Sequence, residues 1–312
     1  MNALTSPSAE ATRRGAIAAV GAYFIWGLVP IYFKALAAVG AGEIVAQRVL
    51  WSLLLLAAIL LVTRNASGWK TLRARPRRAF GLLLSALCIT GNWLVFVWAV
   101  NAGRVLETSL GYYINPLLTM LLAMLFLHER LRRVQWLALG LAAAGVANQV
   151  WQLGALPWVS LVLAGTFATY TFLRKQIAID AVSGLFIETL FVSPLALAYL
   201  FGLARSGESA FGRFGATTDL LLVAAGVVTA VPLLLFAYGA RRVSLVSMGF
   251  LQYIAPSLTF LLAVLYYGEP FGPAKLLTFV LIWAGLALYS VDAWRTARAA
   301  RQPAESEPAP AA

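Results

Sequence analysis

The chain alternates between long apolar stretches and short polar connections. Ten stretches approach the roughly 20 apolar residues that a helix needs to cross a bilayer. They are numbered here as spans 1 to 10 and lie at 16–36, 43–63, 79–100, 106–127, 134–153, 156–173, 185–203, 219–239, 245–267 and 275–293. The stretches are continuous and rich in Leu and Ala rather than alternating, which favours helices over barrel strands. The pattern predicts an all-α integral membrane protein with ten transmembrane helices.

Basic residues are distributed unevenly between the two sets of connections. If the N-terminus is cytoplasmic, 18 of the 24 Lys and Arg residues fall on the cytoplasmic side. Such an excess is typical of cytoplasmic loops. The distribution therefore predicts a multi-pass protein with both termini cytoplasmic. We expect residues 1–14 to form a cytoplasmic tail and residues 294–312, rich in Ala and Pro, to form a disordered one.

One segment of the chain recurs in altered form. The sequence GYYINPLLTMLLAMLFLHE, residues 111–129, returns as LQYIAPSLTFLLAVLYYGE, residues 251–269, with 10 of 19 positions identical. The copies lie five spans apart, an odd number, so they cross the membrane in opposite directions. We predict two inverted five-helix repeats, at 15–153 and 154–293, which is a device of secondary transporters with a site near the membrane midplane. Pairs at the same offset of 140 residues are Tyr113/Tyr253, Pro116/Pro256, Thr119/Thr259, Glu129/Glu269, Phe96/Phe236 and Gly145/Gly285.

Composition excludes several function classes. The chain is 61% hydrophobic and 12% charged, whereas about 25% of residues are charged in a soluble domain. The net charge is +12, and most of the basic residues that give it lie in the connections between apolar spans. We therefore expect a lipid bilayer as partner and no nucleic acid. One Cys and one His supply neither a disulfide nor an ordinary zinc site. No catalytic or ATP-binding motif is present, and we expect no cofactor and no enzymatic activity.

Pro116 and Pro256 lie near the middle of spans 4 and 9. Proline removes one intrahelical hydrogen bond and clashes with the preceding turn, so both are predicted helix breaks. The alternatives are a packing kink in each span or a cavity lined by the freed backbone. The neighbouring polar side chains that a cavity would use are Tyr112, Tyr113, Asn115, Gln252 and Tyr253.

Span 1 carries a stripe of chemically active side chains. Tyr23, Trp26, Pro30 and Lys34 follow one another at spacings that place them on one helical face. We expect this face to point into the bundle. Lys34 is left with two readings, since it lies near the outer end of the span: a cavity residue, or an anchor that reaches the aqueous interface.

Charged residues inside other spans are further candidates. Arg48 lies within span 2, where a charge is costly and must face protein or water. It is either a structural pin or a solute ligand. Three carboxylates could bind protons: Glu43 and Glu107, which alternatively belong to helix starts, and Glu188, which is flanked by apolar residues. Asn92 in span 3 either joins helices or touches solute.

Five segments together resemble a known family. The segments AYFIWGLVPIYFKAL, EIVAQRVLWS, GNWLVFVWAVN, LETSLGYYINPL and GFLQYIAPSLTFLLAVLYYGE look like the RarD group of the EamA family, in the drug/metabolite transporter superfamily. The resemblance covers residues 13–294, nearly the whole chain. It implies ten helices in two EamA repeats, a bacterial inner-membrane location, spans 5 and 10 outside a central cavity, and transport of a small metabolite or drug-like compound.

The leading hypothesis is a secondary transporter that moves a small solute by alternating access, with export as the expected direction. Its alternatives are a passive channel and a non-transporting scaffold. Aromatic rings suit apolar or cationic moieties, and basic groups suit a carboxylate. We also expect a homodimer through spans 5 and 10, where small residues allow close packing. The cavity candidates are Tyr23, Trp26, Lys34, Arg48, Asn92, Phe96, Tyr112, Tyr113, Asn115, Phe236, Gln252 and Tyr253.

Overall fold

The computed structural model describes residues 9–64, 76–102, 105–153, 158–268 and 272–299. Glu269, the repeat partner of Glu129, lies outside the described residues, as do residues 1–8 and 300–312 of the two predicted tails. Within the described residues every regular element is a helix and none is a strand. The prediction of an all-α protein is confirmed.

Each predicted span corresponds to a helix or to a consecutive set of helices. Spans 1 to 8 are α1 to α8, span 9 is α9, α10 and a π-helical turn, and span 10 is α11. The helices are α1 (Ala9–Ala35), α2 (Ala41–Val62), α3 (Pro76–Asn101), α4 (Val105–Phe126), α5 (Arg133–Leu153), α6 (Trp158–Gln176), α7 (Ala181–Ser206), α8 (Ala216–Ala240), α9 (Leu245–Gln252), α10 (Ile254–Leu261), the π-helix Leu262–Tyr266, and α11 (Pro273–Ala299).

Seven of these segments are long and apolar enough to cross a membrane. They are α1, α2, α3, α7, α8, α11 and the combined ninth span. Helices α4, α5 and α6 are not among them, so the count of ten crossings stays a prediction. The described fold is that of a multi-pass all-α membrane protein.

Helix ends extend past the apolar windows where polar caps continue the hydrogen bonding. Helix α7 begins four residues before its apolar window because Asp180 accepts a hydrogen bond from the Ser183 amide at 2.9 Å. It ends at Gly207, whose φ of 71° is the left-handed conformation that glycine adopts most readily. Hydropathy alone underestimates such helices because the capped turn is polar.

The chain divides into two compact units. The first contains α1 to α4 and α6 to α10, with the π-helical turn. Its proximal end, where α1 begins, carries the connections 177–180 and 241–244. Its distal end carries the connections 36–40 and 207–215. The two names are used below without assigning either end to a side of the membrane.

Packing in the first unit follows the repeat. Helix α1 packs against α8 and α10, while α6, its equivalent in the second half, packs against α3 and α4. Helices α2 and α7, themselves equivalent, pack against each other. Exchanging the two halves therefore maps each of these contacts onto another contact of the set. This is the pattern that a two-fold relation between repeats requires.

The described residues of the second unit form α5 and α11, which pack together. A Cβ at Gly145 would lie 2.9 Å from the Thr278 carbonyl oxygen, and one at Gly285 would lie 2.7 Å from that of Ala138. These glycines are a predicted repeat pair, and both allow close approach of the two helices. Asn148 donates a hydrogen bond to the Thr278 hydroxyl at 2.9 Å. The small residues of span 5 thus serve packing within the chain.

The two prolines behave differently from the prediction. Helix α4 runs through Pro116 without interruption, so the helix break expected there is absent. The ninth span is interrupted at Tyr253, three residues before Pro256. Proline at 256 has no amide hydrogen for the Gln252 carbonyl, and the tighter bond from the Tyr253 amide to the Phe250 carbonyl forms in the same turn.

Candidate solute-binding site

Aromatic side chains from three helices form one cluster inside the first unit. Trp26 of α1 lies 5.6 Å from Phe236 of α8 and 5.8 Å from Phe167 of α6, measured between ring centroids. Tyr23 joins Trp26 at 5.5 Å, and Tyr170 stacks on Phe236 at 5.7 Å. The inward orientation predicted for Tyr23 and Trp26 is therefore found. Such offset rings hold apolar surface in fixed geometry.

Arg48 lies in a mixed polar and aromatic setting. Its Nε donates a hydrogen bond to the Thr229 hydroxyl of α8 at 2.8 Å. Its guanidinium carbon lies 4.7 Å from the Trp93 ring centroid and 5.5 Å from that of Phe33. Tyr112 is close enough to interact with it electrostatically. These five residues, from five different helices, are called the Arg48 cluster below.

Tyr112 is the exposed member of the Arg48 cluster. It is 43% exposed, whereas its neighbour in sequence, Tyr113, is 7% exposed. The Tyr112 ring lies 6.0 Å from that of Phe96 on α3. Two predicted cavity residues, Phe96 and Tyr112, therefore stand side by side, and Tyr112 interacts electrostatically with Arg48. This places aromatic surface and a cation within reach of one small molecule.

The amide of Asn92 is used between helices. Its Nδ2 donates to the Leu163 carbonyl at 2.7 Å and to the Thr166 hydroxyl at 2.9 Å, both on α6. The side chain is 4% exposed. Of the two roles left open for Asn92, this geometry supports the joining of α3 to α6.

Helices α4 and α9 meet through the polar residues near the prolines. The Thr119 hydroxyl lies 3.4 Å from Asn115 Oδ1 and 3.3 Å from Gln252 Nε2. The Tyr253 hydroxyl donates to the Tyr113 carbonyl at 3.3 Å. All five side chains are buried. The polar side chains that the sequence offered to a cavity beside the prolines, Tyr112 apart, thus lie buried at the contact between α4 and α9, where they bind one another.

Lys34 stands apart from the Arg48 cluster. It is exposed in the last turn of α1, at the distal end. Its ammonium lies 3.7 Å from the centroid of the Tyr267 ring, a cation–π contact. This position favours the anchor reading of Lys34 over the cavity reading.

Glu43 has a structural setting. It is 3% exposed and accepts hydrogen bonds from the amides of Ala210 and Phe211 and from the Ser209 hydroxyl. The bonds to the Ala210 amide are 3.0 and 2.9 Å long. Glu43 therefore ties the start of α2 to the connection between α7 and α8. At Glu107, the other helix-start candidate, the backbone carbonyl accepts a hydrogen bond from Ser160 at 2.6 Å.

Glu188 forms a buried ion pair. Its Oε1 lies 3.4 Å from Nη1 of Arg174 and accepts a 2.6 Å hydrogen bond from the Ser85 hydroxyl. Glu188 and Arg174 are each 2% exposed. Like Arg48, Glu188 is an intramembrane charge, but it has a partner of opposite charge.

Several residues of the site were missed by sequence reasoning. They are Phe33, Trp93, Phe167, Tyr170, Arg174 and Thr229. A signal was available for one of them, since the offset of 140 residues that relates Arg48 to Glu188 also relates Lys34 to Arg174. The aromatic residues carried no such signal, because aromatic side chains are frequent throughout the spans. Among the described residues, no three His, Cys, Asp or Glu side chains are close enough to hold a metal ion.

Comparison with known proteins identifies the family. The EamA-like transporter family matches the chain twice, at residues 13–148 and 156–291. A protein RarD of Salmonella typhimurium is 50% identical over 290 residues, which cover 93% of this chain and 99% of that protein. An uncharacterized transporter of Pseudomonas aeruginosa is 49% identical over 291 residues, 93% and 98% of the two chains.

A more distant relative and a solved structure extend the comparison. A chloramphenicol-sensitive protein RarD of Pseudomonas aeruginosa is 36% identical over 292 residues, covering 91% of this chain and 96% of that protein. A crystal structure matches with a TM-score of 0.68 at 20% identity, over 90% of this chain and 99% of the other, and supports the fold alone. The chain belongs to the EamA-like transporter family, as a RarD-type member of the drug/metabolite transporter superfamily.

Proposed function

We propose that the chain is a secondary transporter of the bacterial inner membrane that exports a small solute carrying a carboxylate and an apolar or aromatic body. Membership in a transporter family supports transport over enzymatic catalysis. The substrate class follows from the Arg48 cluster, which is the observation that carries the proposal. Both parts of such a solute have a counterpart there.

The charge of Arg48 supports the carboxylate part of the proposed solute. A guanidinium inside the membrane is stable only when protein, water or a ligand compensates it. Within the part of the chain that the structure describes, its contacts are the Thr229 hydroxyl and aromatic rings, and no carboxylate forms an ion pair with it. A guanidinium binds a carboxylate through paired N–H donors. An anionic group of the solute supplies what the protein does not.

The aromatic rings around Arg48 support the apolar or aromatic part of the proposed solute. Tyr112 and Phe96 lie side by side, and Tyr112 is exposed. The Trp93 and Phe33 rings flank the guanidinium. Aromatic faces bind apolar or aromatic groups and leave little room for a hydrated polar one. A zwitterion with an aromatic side chain fits as well as a simple aromatic acid.

Alternating access is supported by the packing of the repeats and by contacts at the proximal end. Glu129, after α4, accepts hydrogen bonds from the first amides of α9, Leu245 at 2.9 Å and Val246 at 3.0 Å. Lys175 of α6 donates to the carbonyls of Ala240 and Val243. We assign the proximal end to the cytoplasm because it carries most of the Lys and Arg. In that orientation these contacts close the cytoplasmic side.

The test compares metabolites in the medium of cells that express the wild type, Arg48→Ala or Tyr112→Ala. We expect a compound enriched outside wild-type cells and reduced at least tenfold in both variants. Arg205→Ala is the matched control, since Arg205 is exposed at the end of α7 and contacts Phe201. Release by both variants at the wild-type rate contradicts the site. Release without saturation indicates a channel, and no release indicates a scaffold.

A further inference from the structure

A second charged site lies between α3, α6 and α7. Glu188 and Arg174 face each other there, and Ser85 binds the same carboxylate oxygen that faces Arg174. Arg48 takes no part in this pair. The proposed solute site therefore does not use the buried carboxylate of Glu188.

The surroundings of this ion pair contain unusually many unsatisfied polar atoms. Oε2 of Glu188, Nε and Nη2 of Arg174, and the hydroxyls of Thr90, Tyr170 and Ser183 are buried and have no hydrogen-bond partner among the described residues. Buried polar atoms are nearly always paired with protein or with ordered water. A cluster of them on three adjacent helices indicates a place built to hold water.

A narrow cavity lies between this ion pair and Trp93 of the Arg48 cluster. Its lining includes Thr90 and Trp93 of α3, Tyr170 of α6 and Glu188 of α7, with apolar residues from α2 and α8. Trp93 is the ring on which the Arg48 guanidinium lies at 4.7 Å. Trp93 therefore contacts Arg48 and also lines the cavity that contains Glu188.

The repeat relates the two sites. Arg48 and Glu188 are equivalent positions at the offset of 140 residues, as are Lys34 and Arg174. In the second half, the two equivalent positions hold an acid and a base that pair with each other. In the first half both are basic, and Arg48 binds a neutral hydroxyl instead. The position held by Arg48 in the first repeat therefore carries the opposite charge, Glu188, in the second.

We infer that Glu188 is a proton-binding site whose occupancy is coupled to the conformation of the bundle; this rests on the proposed transport function. A hydronium ion that reaches the cavity gives its proton to Oε2 of Glu188, an O–H bond forms, and a water molecule remains. The neutral acid no longer attracts Arg174, so α7 and α6 separate more easily. Entry of a proton thereby opposes the closed arrangement.

The groups that face Glu188 decide when it binds the proton. From α6 these are Arg174 and the Tyr170 hydroxyl, from α3 the neutral Ser85, and from α2 and α8 apolar side chains such as Val49 and Leu233. Beyond them Arg241, at the end of α8, interacts electrostatically with Arg174. Burial disfavours the charged carboxylate, and the nearby guanidinium of Arg174 opposes this by favouring it. A conformation that lengthens the 3.4 Å pair therefore takes up the proton.

The first measurement is infrared difference spectroscopy of the purified protein between neutral and acidic pH. We expect the wild type to show a protonated-carboxyl band that Glu188→Gln lacks and that Glu188→Asp shifts in frequency. Glu208→Gln, an exposed acid in the connection between α7 and α8, is the control and keeps the band. A band that persists unchanged in Glu188→Gln overturns the assignment.

The second measurement tests coupling through hydrogen–deuterium exchange of the connections 177–180 and 241–244. Measured relative to the intrinsic exchange rate at each pH, we expect acidification of the wild type to increase exchange there at least threefold, and Glu188→Gln to show this faster exchange at neutral pH. If the ratio of wild-type exchange to the intrinsic rate does not change with pH, the coupling is overturned. Neither measurement needs a solute, so a wild type that exports nothing would contradict the transport proposal and not this one.

Discussion

Three charged residues inside apolar helices show how environment divides roles. Glu43 is bound by backbone amides, Glu188 by a guanidinium, and Arg48 by a neutral hydroxyl and aromatic rings. A charge that is fully paired within the fold contributes to stability. A charge that lacks an opposite partner is available to a ligand. The difference lies in the neighbours, which come from distant parts of the chain.

A prediction at this scale concerns Glu43. Replacing it with Ala leaves the amides of Ala210 and Phe211 without their acceptor, and an unsatisfied buried donor costs about 1–3 kcal/mol. We expect the free energy of unfolding in detergent to fall by about that amount, with faster proteolysis of the connection 207–215. Glu208→Ala is the control and leaves both unchanged. Full stability of Glu43→Ala would show that the bonds to this connection are dispensable.

The sequence could indicate which polar residues matter but not how they are grouped. Arg48, Tyr112 and Glu188 were candidates because charge and polarity are rare in spans. Their partners Trp93, Thr229 and Arg174 were not, because contact across five helices depends on rotations that no single helix determines. The sequence left Lys34 open between a cavity residue and an anchor, and the structure favours the anchor because Lys34 lies at the helix end against Tyr267.

At the scale of helices, length and hydropathy predict the elements well. The ten apolar windows and the observed helices share their cores because each window is continuous and bounded by charged connections. The interruption of the ninth span was expected at Pro256 and is found at Tyr253. The same reasoning predicted a break at Pro116, but α4 is continuous there. Proline predicts a weakened turn, and the packing around it decides whether the helix breaks.

Close helix packing yields a matched test in the second unit. Gly285→Leu forces a side chain against the Ala138 carbonyl, since even a Cβ at position 285 would lie 2.7 Å from that oxygen. A Cβ at Gly140 would meet nothing within 4 Å. We expect Gly285→Leu to destabilise the protein by about 1–3 kcal/mol through overpacking. Gly140→Leu should leave the thermal midpoint of the chain unchanged. Equal effects of both variants would contradict the packing role of Gly285.

Gly140→Leu also addresses the predicted homodimer. If spans 5 and 10 associate with a second copy through the small residues of span 5, a leucine at this open position weakens that association. Cross-linking in membranes measures it, with the thermal midpoint as the check on folding.

At the scale of the whole molecule, the proposed alternating access requires that some contacts exist in one state and break in another. We expect the contacts at the proximal end to be of this kind, because there Glu129 binds the first turn of α9 and Lys175 binds the connection after α8 through hydrogen bonds at the end of the bundle. The apolar pairs α1/α8 and α3/α6 have larger packed surfaces. We therefore expect the hydrogen-bonded contacts to break first and the apolar pairs to move as bodies.

Glu129→Ala tests this expectation. The substitution removes both acceptors of the Leu245 and Val246 amides, and two lost hydrogen bonds of about 1–1.5 kcal/mol each favour the open proximal end. Each 1.4 kcal/mol corresponds to about a tenfold change in the equilibrium between the closed and open states.

Maleimide labelling of Val243→Cys, introduced in a Cys88→Ser background, reports the opening because Val243 is buried in this structure. We expect labelling at least tenfold faster than without the Glu129 substitution. Glu10→Ala, which removes only an exposed pair with Arg14, should label at the original rate, and equal rates for all three proteins would show that Glu129 does not close this end.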